Sequence, residues 1–305
     1  MTIAVIILTF NEAMHIERAI RSVQTFANEI LVVDSFSSDR TLEIARACGA
    51  TILQRKFDNQ ARQFNWVLDT APITSDWIMR LDADEVIEPD LAKAIRATLP
   101  ALPDEVVGVA LKRKHIFLDR WIRHGGRYPL TLLRLWRRGH GRVEDRWMDE
   151  HVLVTGGRTI TLDGGFTDHN LNDLSFFIDK HNKYATREAV ERLSARYGLR
   201  LQREEGQGAP PRQAAHKKLV KAIFYNRLPF GCGPLAYFLY RYFIQLGILD
   251  GKAGLVYHFL QGFWYRFLVE AKLLELDRLL APLPDAQARF AALERATGLK
   301  LGATQ

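Results

Sequence analysis

The sequence has little of what holds a small secreted or membrane-spanning protein together. It contains two cysteines, Cys48 and Cys232, far apart and without metal-ligand spacing. That excludes a disulfide scaffold and a cysteine-held zinc site, and it fits a reducing cytoplasm. Cys48 follows Leu42 and Ala45 at helical spacing and reads as a small core residue. No Gly-x-Gly-x-x-Gly follows the first apolar run, and no Walker-type Gly-Lys-Ser/Thr occurs. Neither backbone cradle for phosphate is therefore available. No charge-free apolar run reaches the roughly 18 to 20 residues that cross a bilayer. Met1-Thr2-Ile3-Ala4-Val5 lacks the basic region and cleavage site of a signal peptide and reads as a first strand. Internal repeats and low-complexity tracts are missing as well.

What is present is an ordinary folded composition: 305 residues, 48% hydrophobic and 25% charged, enough for one large domain and an extra module. The net charge of +7 and a pI near 9.4 point to an anionic partner: nucleic acid, an acidic membrane surface or phosphorylated substrates. Only the placement of the charge separates these.

Ile3 to Thr9 is an unbroken apolar run, the pattern of a parallel strand covered on both faces. Asn11 offers an N-cap, and Ile16, Ala19, Ile20 and Val23 follow at helical spacing. Ile30-Leu31-Val32-Val33 predicts a second strand, and a helix with Leu42, Ala45 and Cys48 inward closes at Gly49. Thr51-Ile52-Leu53 is a short third strand, Asp58 to Leu68 a third helix and Trp77 to Leu81 a fourth strand. Pro89 starts another helix, and Val106 to Leu111 is a strand continued by the basic run Lys112-Arg113-Lys114-His115. Strands alternating with helices predict an α/β fold with a doubly wound, parallel sheet, whose ligands bind beyond the carboxyl ends of the strands.

Three polar clusters fall at those ends: Thr9 to Glu12, Asp34 to Asp39, and Asp82-Ala83-Asp84-Glu85. In the last, three acids lie within four positions. Acids so close repel one another and call for a counter-charge. A hard divalent cation supplies it, since Mg²⁺ or Mn²⁺ bridges one or two carboxylates to phosphate oxygens. In extended chain Asp82 and Asp84 share a face, with Ala83 pointing away.

Thr9-Phe10-Asn11-Glu12, Val33-Asp34-Ser35-Phe36-Ser37-Ser38-Asp39-Arg40-Thr41 and Leu81-Asp82-Ala83-Asp84-Glu85, in that order and at those gaps, resemble family 2 glycosyltransferases of the GT-A fold. That fold is Rossmann-like, a mostly parallel sheet flanked by helices. A closer likeness, to bacterial lipopolysaccharide-core and exopolysaccharide glucosyltransferases, is carried by Asp58-Asn59-Gln60-Ala61-Arg62-Gln63-Phe64-Asn65-Trp66 and Leu133-Arg134-Leu135-Trp136-Arg137-Arg138. Leu228-Pro229, Gly233-Pro234 and Gly247-Ile248-Leu249-Asp250-Gly251-Lys252 add to it. The resemblance implies a UDP-linked sugar donor (UDP-glucose first among them), an inverted anomeric product and a Mg²⁺ or Mn²⁺ ion. Position by position, Thr9, Asn11 and Glu12 would border the nucleotide, Asp34 would accept from the base, Asp82 would sit near the ribose and Asp84 would hold the metal on the diphosphate. Where family members often carry two adjacent acids, this chain has Asp34-Ser35, which bears on selectivity for uridine.

Sugar transfer needs the charge on the leaving diphosphate neutralised and a proton taken from the acceptor hydroxyl. Arg62, Arg134 and Lys183 are candidates for the first task beside the metal, with a solvated surface role as the alternative for each. Glu150 is the candidate base, since the closer relatives place an acid next to a His there. Here the neighbours are Asp149 and His151, so Asp149 is the alternative base, and an ordinary acid pair at a strand start is the third reading. His169 either completes the metal shell, as a late His does in many enzymes of this fold, or is a hydrogen-bonded structural residue.

A breaker-rich joint at 201–211 separates an expected catalytic domain, 1–200, from a helical module, 212–305. Between 212 and 280 that module interleaves aromatics such as Phe224, Tyr237, Phe243, Phe263 and Trp264 with Lys217, Lys218, Lys221, Arg241, Lys252 and Arg266. Amphipathic helices lying in a membrane interface fit this mixture, as does a helical subdomain packing its aromatics onto the sheet domain or a second copy. The first reading places the enzyme peripherally on the inner face of the bacterial cytoplasmic membrane, facing a lipid-anchored saccharide acceptor and an anionic surface. Competing classes are a sugar-nucleotide nucleotidyltransferase, which needs a glycine-rich loop that Leu8-Thr9-Phe10-Asn11-Glu12 lacks, and a basic nucleic-acid-binding protein. Acids at strand ends argue against nucleic acid as a partner.

Overall fold

The computed structural model of the chain describes residues 1–144, 151–199 and 228–301. It divides into two compact units, Met1–Leu171 and Asn172–Gln305. The expected joint at 201–211 lies outside the described residues.

The first unit is an α/β domain. Its opening elements run β1 (Ile3–Thr9), α1 (Ile16–Val23), β2 (Glu29–Asp34), α2 (Thr41–Ala47), β3 (Thr51–Gln54), α3 (Gln60–Thr70), β4 (Trp77–Asp82), β5 (Glu85–Ile87) and α4 (Pro89–Thr98). A second run adds β6 (Val106–Phe117), β7 (Arg120–Trp121), β8 (Leu130–Arg137), β9 (Gly141–Val143), β10 (Val152–Val154) and β11 (Arg158–His169). The main sheet has the order β3-β2-β1-β4-β8-β6-β11-β5, with β7 on β6, while β9 and β10 form a separate hairpin. β3, β2, β1 and β4 are parallel throughout, and β8 then enters antiparallel between β4 and β6.

The unbroken apolar run of β1 is explained by two cores. Ile3, Val5 and Ile7 pack with Ile16, Ile20 and Val23 of α1 and Leu91 and Ile95 of α4. Ala4 and Ile6 face the other way, toward Phe64 and Val67 of α3, Trp136 of β8 and Val143 of β9. With both faces apolar, alternation alone does not fix the register of β1. Polar groups at its two ends do. Asp76 accepts the Thr2 N–H at 2.7 Å at one end, and Thr9 Oγ1 donates to Asp34 Oδ1 at 3.1 Å at the other. The result sets three carboxyl ends side by side, Thr9 opposite Asp34 and Leu8 opposite Asp82.

Two expectations change in detail. Asn11 does not cap α1; the cap position is His15, while Asn11 takes a left-handed backbone (φ 56°) and accepts from Ser38 N–H at 2.9 Å. The chain also does not stay extended through Ala83. It turns there from β4 into β5, which pairs antiparallel with the end of β11, so Asp82 and Asp84 meet different partners.

The second unit is helical: α5 (Leu174–Arg196), α6 (Cys232–Leu239), α7 (Gly251–His258), α8 (Tyr265–Leu280) and α9 (Ala286–Thr297). Widened helical turns at Tyr240–Ile244 and Phe259–Trp264 extend α6 and join α7 to α8. Val190 and Leu193 of α5 pack with Leu276 and Leu280 of α8 and Phe290 and Leu293 of α9. No helix among the described residues is long and apolar enough to cross a membrane.

Candidate active site at the carboxyl ends of the strands

Asp34 ends β2 fully buried. Its carboxylate accepts from Thr9 Oγ1 at 3.1 Å, Ser37 N–H at 2.8 Å and Gln54 Nε2 at 3.3 Å. These bonds fold residues 34–39 back over the strand end, with Phe36 held left-handed at φ 63° and its ring exposed. Such a backbone is uncommon for a bulky residue and persists where the surroundings impose it. The loop after β1 is tied to the loop after β2: Asn11 N–H donates to Ser37 Oγ at 2.8 Å and Glu12 N–H to Thr41 Oγ1 at 2.8 Å. Thr9, Asn11, Glu12 and Asp34 are thus gathered in one place.

α3 braces this loop. Asn59 caps it by accepting from Arg62 N–H at 2.7 Å. One turn on, the buried Gln63 donates to Ser35 Oγ at 2.9 Å. Asn65 holds the β9 backbone from both sides, donating to Val143 O at 2.8 Å and accepting from Val143 N–H at 3.0 Å. Glu144 N–H donates to His151 O at 2.8 Å, so the chain leaves and re-enters the β9–β10 hairpin at one point. Between them lie the candidate bases Asp149 and Glu150, outside the described residues.

The β4 end is a cluster of paired charges. Arg134 of β8 reaches Asp82 Oδ2 at 3.0 Å and also donates to Glu85, and Arg80 reaches Asp82 Oδ1 at 3.3 Å. Glu85 Oε2 closes the turn by accepting the Asp82 N–H at 2.9 Å. Arg134 and Glu85 are almost fully buried, whereas the Asp82 side chain keeps 30% of its surface. Burial raises the Asp82 pKa, but Arg134 and Arg80 outweigh it and hold the carboxyl well below its ordinary range. For Glu85 burial wins over Arg134, helped by the charges of Asp82 and Asp168, and its pKa is pushed up to about 8. Next to it, Asp168 lies 3.2 Å from His115 Nδ1 and 3.3 Å from Arg113. Against the effect of burial these two neighbours hold Asp168 at about 2.

Asp84 and His169 meet where β5 and β11 pair. His169 N–H donates to Asp84 O at 3.0 Å, and the Asp84 carboxylate accepts from Asn170 Nδ2 at 3.0 Å. Arg18 of α1 donates to His169 O and lies 3.4 Å from Asp84 O, which ties the Asp-x-Asp turn to the helix after β1. His169 Nε2 sits 3.2 Å from Asp119 Oδ1. Burial first, then Arg18, lowers the pKa of the imidazole and favours its neutral form. His15, buried at 1% exposure, spans the same gap. Its Nε2 accepts from Leu171 N–H at 2.9 Å, which leaves Nδ1 to donate to Glu12 Oε2 at 2.6 Å.

Among the described residues no group of three or more His, Cys, Asp or Glu side chains could hold a metal ion. Asp84 and His169 are joined through their backbones, while the side chains meet Asn170 and Asp119. Carboxylate and imidazole are both donor types that suit a hard or borderline cation completing its shell with water and phosphate oxygens. In donor type alone, Asp84 and His169 are compatible with such a cation. Asp82 is engaged by two arginines.

Of the sequence candidates, Thr9, Asn11, Glu12, Asp34, Asp82, Asp84, Arg134 and His169 all lie at this end of the sheet. Arg62 is in the first turn of α3, and Lys183 is exposed on α5 in the second unit. Sequence reasoning passed over His15, Arg18, Arg80, His115, Asp168 and Asn170. Except for Arg80, which meets Asp82 two positions on, only their pairing with partners distant in the chain makes them part of the cluster. The one available signal was charge at positions inside otherwise apolar elements, as with Arg80 in β4.

The family profile described as glycosyl transferase family 2 matches residues 4–193. An uncharacterized glycosyltransferase of Rickettsia bellii (strain RML369-C) is 39% identical over 93 residues, 30% of this chain and 31% of that protein. The SPbeta prophage-derived glycosyltransferase SunS of Bacillus subtilis (strain 168) is 33% identical over 89 residues, 28% of this chain and 20% of that protein. These matches span no more than about a third of the relatives' length. Among solved structures, glucosyl-3-phosphoglycerate synthase from Mycobacterium tuberculosis, in complex with Mn²⁺, UDP and glucosyl-3-phosphoglycerate, is 23% identical and superposes with a TM-score of 0.32, covering 38% of this chain and 44% of that one.

Proposed function

The chain belongs to glycosyl transferase family 2, and from that premise we propose that it moves a hexose, glucose first among the candidates, from a UDP-sugar to a lipid-linked or lipopolysaccharide-core saccharide at the cytoplasmic face of the bacterial membrane. One observation carries the donor half of this reading. The carboxyl ends of β1, β2 and β4 lie side by side and bear Thr9, Asp34 and Asp82, with Arg18 linking the Asp84 turn to the helix after β1. That is where a doubly wound sheet takes its ligand.

In this reading the loops at 9–12 and 34–39 border the nucleotide. Their mutual hydrogen bonds set the width of its seat before it arrives, which lowers the entropy lost on binding. Asp84, with His169, would hold a Mg²⁺ or Mn²⁺ ion, and that ion when bound neutralises charge on the diphosphate. Glu150, or Asp149, takes the proton of the acceptor hydroxyl as its oxygen bonds to the anomeric carbon. The bond from that carbon to the diphosphate oxygen breaks on the opposite face, UDP leaves with the electron pair, and the configuration inverts. Arg134 serves at one remove, holding Asp82 and the turn that presents Asp84.

The test is a panel of nucleotide sugars with Mg²⁺ or Mn²⁺, scored by release of free UDP and then by transfer to lipid-linked saccharides. A UDP-hexose is expected to be the preferred donor. Glu150→Gln should keep metal-dependent UDP binding while turnover falls on the order of 10²–10⁴-fold. Full turnover in that variant and in Asp149→Asn would remove the assigned base. Indifference to the nucleotide would remove the donor assignment.

A further inference from the structure

The second unit carries a helical hairpin built inside out. Between 228 and 265 the charged residues are Arg241, Asp250 and Lys252, joined by His258. Arg241, Asp250 and His258 are buried. His258 Nε2 lies 3.7 Å from Asp250 Oδ2, and Arg241 sits over the Tyr237 ring, 5.5 Å from its centre. Glycine makes this interior possible: a Cβ on Gly247 would lie 2.7 Å from the His258 ring, and one on Gly254 would lie 2.4 Å from Asp250 Cβ. The polar interior is therefore closely packed.

The apolar side chains face outward instead. At the tip of the hairpin Phe243, Ile244, Leu246, Ile248 and Leu249 are all exposed, Ile244 at 72% and Leu249 at 56%. Leu246 even occupies a left-handed backbone position (φ 60°), where glycine or asparagine would be relaxed. So large an apolar projection in so short a stretch marks an interaction surface. The charge pattern selects the partner. The only exposed charge in the stretch is Lys252, a cation, and it has no exposed acid. An apolar tip with a basic flank and no acid is complementary to an anionic lipid surface. With no described helix able to span, such a tip enters one leaflet and stops.

We propose that the tip of this hairpin, Phe243 to Leu249, inserts into the acyl boundary of an anionic bilayer and docks the enzyme there. The choice of a bilayer rests on the reading of a lipid-linked acceptor, but the docking surface itself belongs to the second unit alone.

The test uses the full-length chain and vesicles of phosphatidylcholine with or without phosphatidylglycerol. Wild-type protein should sediment with the anionic vesicles, and Ile244→Asp/Leu249→Asp should weaken that partition at least about tenfold. UDP release from a soluble donor should be unchanged in the double variant, and a far-UV circular dichroism spectrum and urea midpoint matching wild type report that the helical unit is still folded. An Ile244→Trp variant provides an independent reading, with fluorescence quenched by lipids brominated on the acyl chain. No binding by wild type, equal binding by the double variant or no quenching each overturns the proposal. So does a wild-type dimer in lipid-free buffer that the double variant loses without any change in vesicle binding, since the occupant is then a second copy. If vesicles bind as expected and no UDP-sugar is turned over, the catalytic reading falls and the docking surface stands.

Discussion

The rim of the sheet in the first unit and the hairpin tip in the second both bury charge, and they do so for opposite surfaces. At the rim, Arg134 and Glu85 go inside so that a polar edge of Asp84, Asn11 and Glu12 can face outward. At the tip, Arg241 and Asp250 go inside and an apolar edge faces outward. A buried charge is tolerable only when paired, so in each place its partners indicate what the outer surface was left to do. One surface suits a charged, water-borne ligand and the other an apolar one.

The sharpest way to break the comparison is to unpair the rim. Arg134→Ala leaves Glu85 buried and takes one of two arginines from Asp82. Loss of one partner of a buried ion pair costs roughly 3–5 kcal/mol, an upper bound here because Arg80 stays on Asp82 and Glu85, raised to about 8, can keep its proton. Urea unfolding of the variant should show a loss of about 2–4 kcal/mol, with donor binding weakened as well because the Asp84 turn loses its anchor. A change below about 1 kcal/mol would mean that Arg134 is not what steadies the rim. Asp84→Ala separates the two roles. It gives up the side-chain hydrogen bond to Asn170 and the attraction to Arg18, contacts of about 1 kcal/mol each, so stability should fall by less than in Arg134→Ala. Turnover should drop on the order of 10²–10³-fold or more, about 2.7–4 kcal/mol of transition-state stabilisation, and metal-dependent UDP binding should go with it. Activity at the wild-type level would detach the metal from this turn.

In the second unit the corresponding probe is Gly254→Ala. Its Cβ would meet Asp250 Cβ at 2.4 Å, and overpacking of this kind costs about 1–3 kcal/mol. Vesicle binding should weaken because the tip loses its base, while UDP release from a soluble donor stays at the wild-type rate. A parallel fall in both activities would show that the two surfaces are not independent.

Much of the first region was legible because its signals are local. The apolar runs gave β1, β2 and β4, and the polar residues ending each run gave the rim. The pairing across β8 was not legible, since Arg134 meets Asp82 and Glu85 across about fifty residues of chain and no local period carries that. His15 and Arg18 were hidden for the same reason; each looks like an ordinary helix residue until its partner near the end of β11 is known. The turn at Ala83 escaped because Trp77 to Glu85 reads as extended until β11 is there to draw β5 away. In the second unit the mixture of basic and aromatic residues was plain, but its sense was not. Periodicity shows that a helix has two faces, and only packing decides that Arg241 takes the inner one.

The smallest effect tests the far end of the sheet, where no ligand is expected. Glu29 accepts from Ser75 N–H at 2.8 Å, Thr74 N–H at 3.2 Å and Thr74 Oγ1 at 3.1 Å, as well as from Ser75 Oγ, and so ties β2 to the approach of β4. Burial pushes its carboxyl up, but the Ser75 and Thr74 bonds outweigh burial and leave the pKa below its ordinary value. A carboxyl held down in the folded state adds stability that is present above its unfolded pKa of about 4.3 and fades as pH falls through the folded value. Glu29→Gln keeps the shape and one acceptor oxygen and loses the charge, so it should cost about 1 kcal/mol at neutral pH. That difference should shrink on acidification below about pH 4, while UDP release per folded molecule stays unchanged. If the variant lost turnover out of proportion to its stability, catalysis would depend on both ends of the sheet, and the contrast between a structural and a functional edge would not hold.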